Sequence, residues 1–360
     1  MICKKFLSPN KNKIYIDCRL FEKIGIGTYL EQVLKGLLEE NKDIYLITNK
    51  NTNLPNIIKN KKLNFKLIEI HSKPFSLGEQ IELAFIIDFN ATYWSPTILL
   101  PILRIDLKKI ITFHDITPVT NYSGKSFLQR IFIYFVFLIF ASLSNKIITG
   151  SKTAKNSICS IFKINRNKIH VIYHGFDHLT NNLISPEKSN DKFILTILSL
   201  KNHKRLDLAI NSFLIINKKY TDLKLYIVLP KKDYMNLFSN NLFNIKKYKN
   251  IKVFHSLNKF KLVNLFSTSK LVLSCSDHEG YGLPVAEAIF LNKEVLISDI
   301  KVYLELFSGH QVNFFKKGDL DSLVTKLDQI FMKDTKKMKL YKNFNTWKNS
   351  INLHKKLIFN

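Results

Sequence analysis

Short apolar runs, rich in Ile, Val and Leu, alternate with longer amphipathic stretches through most of this 360-residue chain. A run of about four to eight such residues reads as a strand buried on both faces. A following stretch with apolar residues three and four apart reads as the helix that covers it. Strands are expected at 13–17, 43–48, 65–70, 91–95, 109–113, 146–149 and 169–173, with helices at 27–40 and 151–162 among them. The segment TNNLISPEKSND, 180–191, is polar, carries a proline and breaks the rhythm as a linker does. The rhythm restarts with strands at 193–199, 224–229, 251–254, 271–275 and 294–297 and helices at 204–219, 259–267 and 284–291. This is α/β: two doubly wound, Rossmann-like domains, at 1–180 and 192–335, with a Lys-rich terminal helix at 336–360. The length agrees with two cores.

Charge narrows the partners. Lys and Arg number 55 against 28 Asp and Glu, a net +27, and only five of the 55 are Arg. Such a surface attracts phosphates, in nucleotide, anionic lipid or nucleic acid. An AT-rich coding bias toward Lys, Asn, Ile and Phe would yield the same excess. Dedicated nucleic-acid sites favour the Arg fork, and no helix-turn-helix, zinc or RNA-binding motif is present, so no nucleic-acid partner is expected. Four dispersed cysteines, Cys3, Cys18, Cys159 and Cys275, form no C-x-x-C pair and point to a reducing, cytoplasmic compartment. The opening MICKKFLSPNKNK lacks the apolar stretch of a signal peptide. The most apolar segment, IFIYFVFLIFASL at 131–143, is too short to span a bilayer. It reads either as a buried helix or as one lying partly in a membrane surface.

Ligands of doubly wound sheets bind beyond the carboxyl ends of the strands. The turn there after 271–275 reads SDHEGYGLPVAEAI. Gly280 and Gly282 let backbone approach a ligand, and Pro284 suits the first turn of a helix whose free amides attract an anion. Glu279 stands in the loop and Glu287 follows in the helix. Two carboxylates, which only accept hydrogen bonds, beside an anion-binding helix start suit a polyhydroxyl ligand that carries phosphate. A bare pair of glutamates eight positions apart is otherwise an ordinary solvated loop and an unrelated helix residue.

At this string the chain resembles a family. DHEGYGLPVAEAIFLNKEVLISD is similar to the signature of the retaining nucleotide-sugar glycosyltransferases of the GT-B fold, the group called glycosyltransferase family 4. KIYIDCRLFEKIGIGTYL resembles the family's first strand and glycine-rich loop, with Gly25 and Gly27 on it. ITFHDITP resembles its His-Asp turn, at His114 and Asp115. IITGSKTAKNSI resembles its strand–Ser–helix segment at Ser151, VIYHGFDH its turn at Gly175 and Asp177, and ILTILSLKNHKRLDLAI the first strand and helix of its second domain. The region of Trp347 resembles the helix that crosses back to the first domain.

The resemblance implies sugar transfer, with retention, from a nucleoside-diphosphate sugar used as co-substrate, in a cleft between two domains. It assigns the diphosphate to Lys204 and to backbone at Gly280, Tyr281, Gly282 and Leu283. It assigns the sugar hydroxyls to Glu279, the ribose to Glu287, and the acceptor side to Gly25, Gly27, His114 and Asp115. Gly25 and Gly27 equally serve a tight turn. Lys204, Glu279 and His114 are thus the expected catalytic residues. No resident cofactor and no metal are expected. His174 and His178 have the spacing of a metal pair, but no further ligands cluster with them. One departure is Leu198 and Ser199 at the strand end, where the family often has Gly and then Arg or Thr. Ser199 and Arg205 are expected on the donor side, and Lys201, His203 or Arg205 is the replacement on offer for the missing Arg. His174 likewise stands where the family has Asn.

The subgroup implies a hexose donor, mannose-type, and a saccharide acceptor, lipid-linked, in bacterial surface polysaccharide such as O-antigen or capsule. That places the protein in the cytoplasm or peripherally at the inner face of an anionic plasma membrane. The competing readings are a nucleotide-sugar epimerase on the same fold, an inactive transferase-like scaffold and a basic nucleic-acid-binding protein.

Overall fold

The strand β1 (Ile14–Asp17) is buried at every position, as a central parallel strand covered on both faces must be. The computed structural model describes residues 13–21, 25–50, 52, 63–120, 126–182, 191–332 and 345–360. In it the chain divides into two units, 1–175 with 345–360, and 176–344. The first unit adds β2 (Ile44–Asn49), β3 (Lys66–Ile70), β4 (Thr92–Ser95), β5 (Lys108–Phe113), β6 (Lys146–Thr149) and β7 (Ile169–Val171). These make one parallel sheet in the order β3-β2-β1-β4-β5-β6-β7. Its helices are α1 (Ile26–Leu37), α2 (Leu77–Ile86), the single turn α3 (Thr117–Thr120), α4 (Phe127–Leu143) and α5 (Lys152–Phe162).

Local chemistry sets the helix starts. Ser151 Oγ accepts the Ala154 amide at 3.0 Å and caps α5. Ser126 and Gln129 form a reciprocal capping box on α4. Gly27 lies so close to the Phe21 carbonyl that no side chain fits there. Tyr29, Leu30, Val33, Leu34 and Leu37 form the buried stripe of α1.

The second unit repeats the plan with β8 (Lys192–Ile197), α6 (Leu206–Ile216), β9 (Leu223–Leu229), α7 (Lys231–Ser239), β10 (Ile251–His255), α8 (Lys259–Thr268) and β11 (Leu271–Ser274). It continues with α9 (Leu283–Phe290), β12 (Val295–Ser298), α10 (Lys301–Phe307), β13 (Asn313–Phe315) and α11 (Leu320–Met332). Its parallel sheet runs β10-β9-β8-β11-β12-β13. The direction of winding reverses between β1 and β4 in one unit and between β8 and β11 in the other. Crevices for ligands open at the carboxyl ends of such strand pairs.

The terminal helix α12 (Trp347–Phe359) belongs to the first unit. Its His354 Nε2 lies 2.7 Å from Tyr29 OH, and Ile351 packs against Gly36. The Trp347 ring stacks on His174 at 5.7 Å.

The structure corrects several expectations. The helix expected from 204 starts at Leu206, because Asn202–Lys204 is a 3-10 turn and Arg205 takes a left-handed conformation, φ +50°. The apolar helix α4 is not fully buried. Phe137, Phe140 and Ala141 face the core, while Phe132, Phe135 and Ile139 are exposed. The units divide after Gly175 rather than at 180, with Asp177–Asn182 as a 3-10 turn of the second unit. Residues 183–190 of the expected linker, and 336–344 of the expected terminal helix, lie outside the described residues. The helices α2, α7, α10 and α11, the single turn α3 and the three-residue β13 are further elements that the apolar runs do not announce.

Candidate functional site

The loops after β8 and β11 carry the densest polar chemistry of the second unit. The Asp277 amide donates to the His203 carbonyl at 2.7 Å and ties the two loops together. The β8 loop is held from the other side by Asp233, whose carboxylate accepts the Leu200 amide at 2.9 Å. In it Ser199 offers its carbonyl to the Lys201 amide at 2.7 Å. Lys204 Nζ then lies 2.6 Å from Glu279 Oε1, with both side chains largely buried. Ser276 Oγ donates to the same oxygen at 2.8 Å and Tyr303 OH at 3.2 Å. Three donors converge on Oε1. Among the described residues no hydrogen bond reaches Oε2.

Burial pushes the Glu279 carboxyl up, but Lys204 beside it and the Ser276 hydroxyl outweigh burial and hold it below its ordinary value. Burial, and then the charge of Glu279, push the Tyr303 hydroxyl well above its ordinary value. It therefore stays protonated and donates. Gly282 is needed where it stands. Its φ is +91°, and a Cβ there would meet Tyr303 Cε1 at 2.5 Å. It ends the loop as the N-cap of α9, with Pro284 in the first turn. Tyr281 is buried edge-on to Phe176 at 6.3 Å.

Glu287 on α9 is buried and accepts His178 Nε2 at 2.9 Å through Oε1. Here too Oε2 has no hydrogen bond among the described residues. Arg205 is committed elsewhere, to Asp207 at 2.9 Å and Asp277 at 3.5 Å.

In the first unit Gly25 caps α1 with φ +84°. His114, after β5, places Nε2 2.7 Å from the Pro96 carbonyl. A carbonyl only accepts, so Nε2 carries the hydrogen and Nδ1 is the acceptor of the neutral ring. Burial holds the ring's pKa below its ordinary value. Asp115 accepts the Thr117 amide at 2.8 Å and shapes the turn. His174, the other half of the suggested metal pair, stacks on Trp347 and lies tilted against Tyr29 at 5.0 Å. Among the described residues no three His, Cys, Asp or Glu side chains gather as a metal site needs.

The structure therefore brings Lys204 and Glu279 together and anchors Glu287 on His178. Three contributors were not singled out from sequence for these contacts. Ser276 carries a local signal, three residues before Glu279. In sequence His178 reads only as half of a metal pair, and Tyr303, in α10 beyond α9 and β12, carries no signal.

Two family models together match residues 24–347: "Glycosyltransferase Family 4" matches 24–178 and "Glycosyl transferases group 1" matches 179–347. The chain belongs to the family 4, group 1 glycosyltransferases. The fold is GT-B, as in the UDP and glucose complex of HepE from Anabaena, with a TM-score of 0.68 and 14% identity over 97% of this chain and 96% of that one. WaaG, a glycosyltransferase involved in lipopolysaccharide biosynthesis, superposes with a TM-score of 0.67 and 13% identity over 89% and 90%. In sequence the chain is 27% identical over 211 residues to the O-antigen chain mannosyltransferase RfbU of Salmonella typhimurium, 58% of this chain. It spans 56% of the length of that relative.

Proposed function

We propose that the protein transfers a hexose, with retention, from a nucleoside-diphosphate sugar to a lipid-linked saccharide in the building of O-antigen-type surface polysaccharide. The observation that carries this reading is the state of Glu279. One oxygen is fixed by three donors, and the other is open beside a cation at the carboxyl ends of β8 and β11. The open oxygen accepts sugar hydroxyls and orients the anomeric carbon. Lys204 and the α9 amides neutralise the diphosphate as its bond to that carbon breaks, the kind of electrostatic help that dominates such reactions. The acceptor hydroxyl oxygen takes the diphosphate's place, and its proton leaves with the diphosphate or to solvent. Glu287, braced by His178, takes the ribose. Gly25, Gly27, His114 and Asp115 serve the acceptor. Lysine and helix amides do the work of a metal, so none is required. RfbU supports a mannose-type donor, and the nucleotide bound to HepE supports a nucleotide-sugar.

The test is a donor screen with GDP-, UDP- and dTDP-sugars, followed by Glu279→Gln and Lys204→Ala with the donor found. Each variant is expected to lose about a hundredfold or more in kcat while keeping its melting temperature. Full turnover by both variants, or no donor accepted, overturns the reading.

A further inference from the structure

We infer that Tyr29 and His354 are positioning residues for His114, so that the terminal helix α12 sets the placement of a side chain on the acceptor side of the reaction. This rests on the reading that His114 serves the acceptor. All the residues involved belong to the first unit.

His114 is held at one nitrogen and across its ring. Nε2 is fixed by the Pro96 carbonyl at 2.7 Å. Among the described residues no hydrogen bond reaches Nδ1, which remains to accept a substrate hydroxyl. The ring of Tyr29 meets that of His114 at 4.9 Å and near a right angle, 87°, the T-shaped contact that aromatic rings favour. Tyr29 is itself fully buried, and a one-way chain of hydrogen bonds fixes it. Trp94 Nε1 can only donate, and does so to Thr112 Oγ1 at 3.2 Å. The Thr112 hydroxyl donates in turn to Tyr29 Oη at 3.2 Å. The Tyr29 hydroxyl donates to His354 Nε2 at 2.7 Å, because Nδ1 of that ring carries the hydrogen and gives it to the Ser350 carbonyl at 2.7 Å. The chain passes through the two strands that lead to His114 and its carbonyl partner. Thr112 lies in β5 two residues before His114, and Trp94 in β4 two residues before Pro96.

Packing alone does not call for such a chain. Buried polar side chains hold little stability advantage over apolar ones of the same shape, but a fully satisfied run of them fixes orientation. The orientation fixed here is that of the Tyr29 ring against His114. The other titratable groups facing His114 are Asp115, His174 at 6.3 Å and His354. Tyr29→Phe alters none of these, so its effect on His114 reports placement.

The experiment compares Tyr29→Phe, His354→Leu and His354→Gln, each alone and in a His114→Ala background. Tyr29→Phe keeps the ring and removes the hydroxyl, His354→Leu removes the acceptor of that hydroxyl, and His354→Gln keeps one. All are assayed well below their melting temperatures, so that lost stability does not read as lost rate. Tyr29→Phe and His354→Leu are each expected to lower kcat/KM for the acceptor about tenfold with the donor KM unchanged. His354→Gln should keep most of the wild-type value. In the His114→Ala background the same changes should make no further difference, because residues that act through His114 cannot add to its loss. Losses that multiply in that background overturn the proposal, as do wild-type acceptor kinetics in Tyr29→Phe and His354→Leu. Full acceptor turnover by His114→Ala alone overturns the reading of His114 and the proposal with it. NMR of the isotope-labelled imidazoles needs no substrate. Tyr29→Phe should raise the His114 pKa toward its ordinary value as the ring loosens, and His354→Gln should leave it in place. A His114 signal unmoved by Tyr29→Phe overturns the positioning whichever donor the enzyme takes.

Discussion

Glu279 shows how one side chain is tuned by groups that the sequence scatters. A carboxylate this buried would drift toward protonation, and Lys204, Ser276 and Tyr303 prevent that by loading a single oxygen. Tyr303→Phe removes one donor and keeps the ring that packs beside Gly282. Steady-state kinetics should show kcat falling about tenfold with the donor KM little changed. The acid limb of the pH profile should move upward as Glu279 becomes easier to protonate. An unmoved acid limb would show that Tyr303 does not act through Glu279. Gly282→Ala strains a φ of +91° and crowds the same ring. It should cost about 1–3 kcal/mol in chemical denaturation. Glu279, Gly282 and Lys204 were legible because the loop and the strand–turn run that carry them keep recognisable strings. Tyr303 was not, because its role is set by the packing of α10 and by no local spacing.

Among the elements, α2 explains why some helices escape a reading by periodicity. Its Leu77, Ile81 and Phe85 face solvent, while Glu79, 1% exposed, faces inward beside the buried Leu83. The inversion is possible because Arg19, itself buried, meets Glu79 at 2.5 Å and Asp17 at 2.6 Å. Tyr93 OH adds a hydrogen bond to Asp17 at 2.8 Å. A hydrophobic-inward rule therefore fails at Leu77, Glu79, Ile81 and Phe85 of α2, whereas β1, β2, β5 and β6 were legible because parallel strands are apolar on both faces. The three-residue β13 is too short for any period to register. Arg19→Met would leave two buried carboxylates without their cation. Urea unfolding should show a loss of about 3–5 kcal/mol. A smaller change than about 1 kcal/mol would mean that water reaches Asp17 and Glu79.

For the whole molecule, the chain completes its first unit only by returning to it. It leaves after Gly175 and re-enters at Asn345, so α1 and the sheet beneath it wait for α12. The docking of α12 is sealed by a titratable group. His354 is fully buried, with Nδ1 2.7 Å from the Ser350 carbonyl, to which it must donate. Nε2 then accepts the Tyr29 hydroxyl. Burial lowers the pKa of His354 from 6.5 to about 4, and burial pushes His114 and His174 in the same direction. The folded protein thus refuses a proton that the unfolded chain accepts. His354's contribution to stability is complete above the unfolded pKa near 6.5 and declines as the pH falls toward 4. One histidine gives a slope of about 1.4 kcal/mol per pH unit across that window. Urea melts followed across this range should show the wild type weakening steeply. His354→Gln, which can still accept from Tyr29, should be less steep by about one proton. An unchanged slope would place the titration on His114 or His174 instead. That would mean the return of the chain is held by apolar contacts such as Trp347 and Ile351 alone.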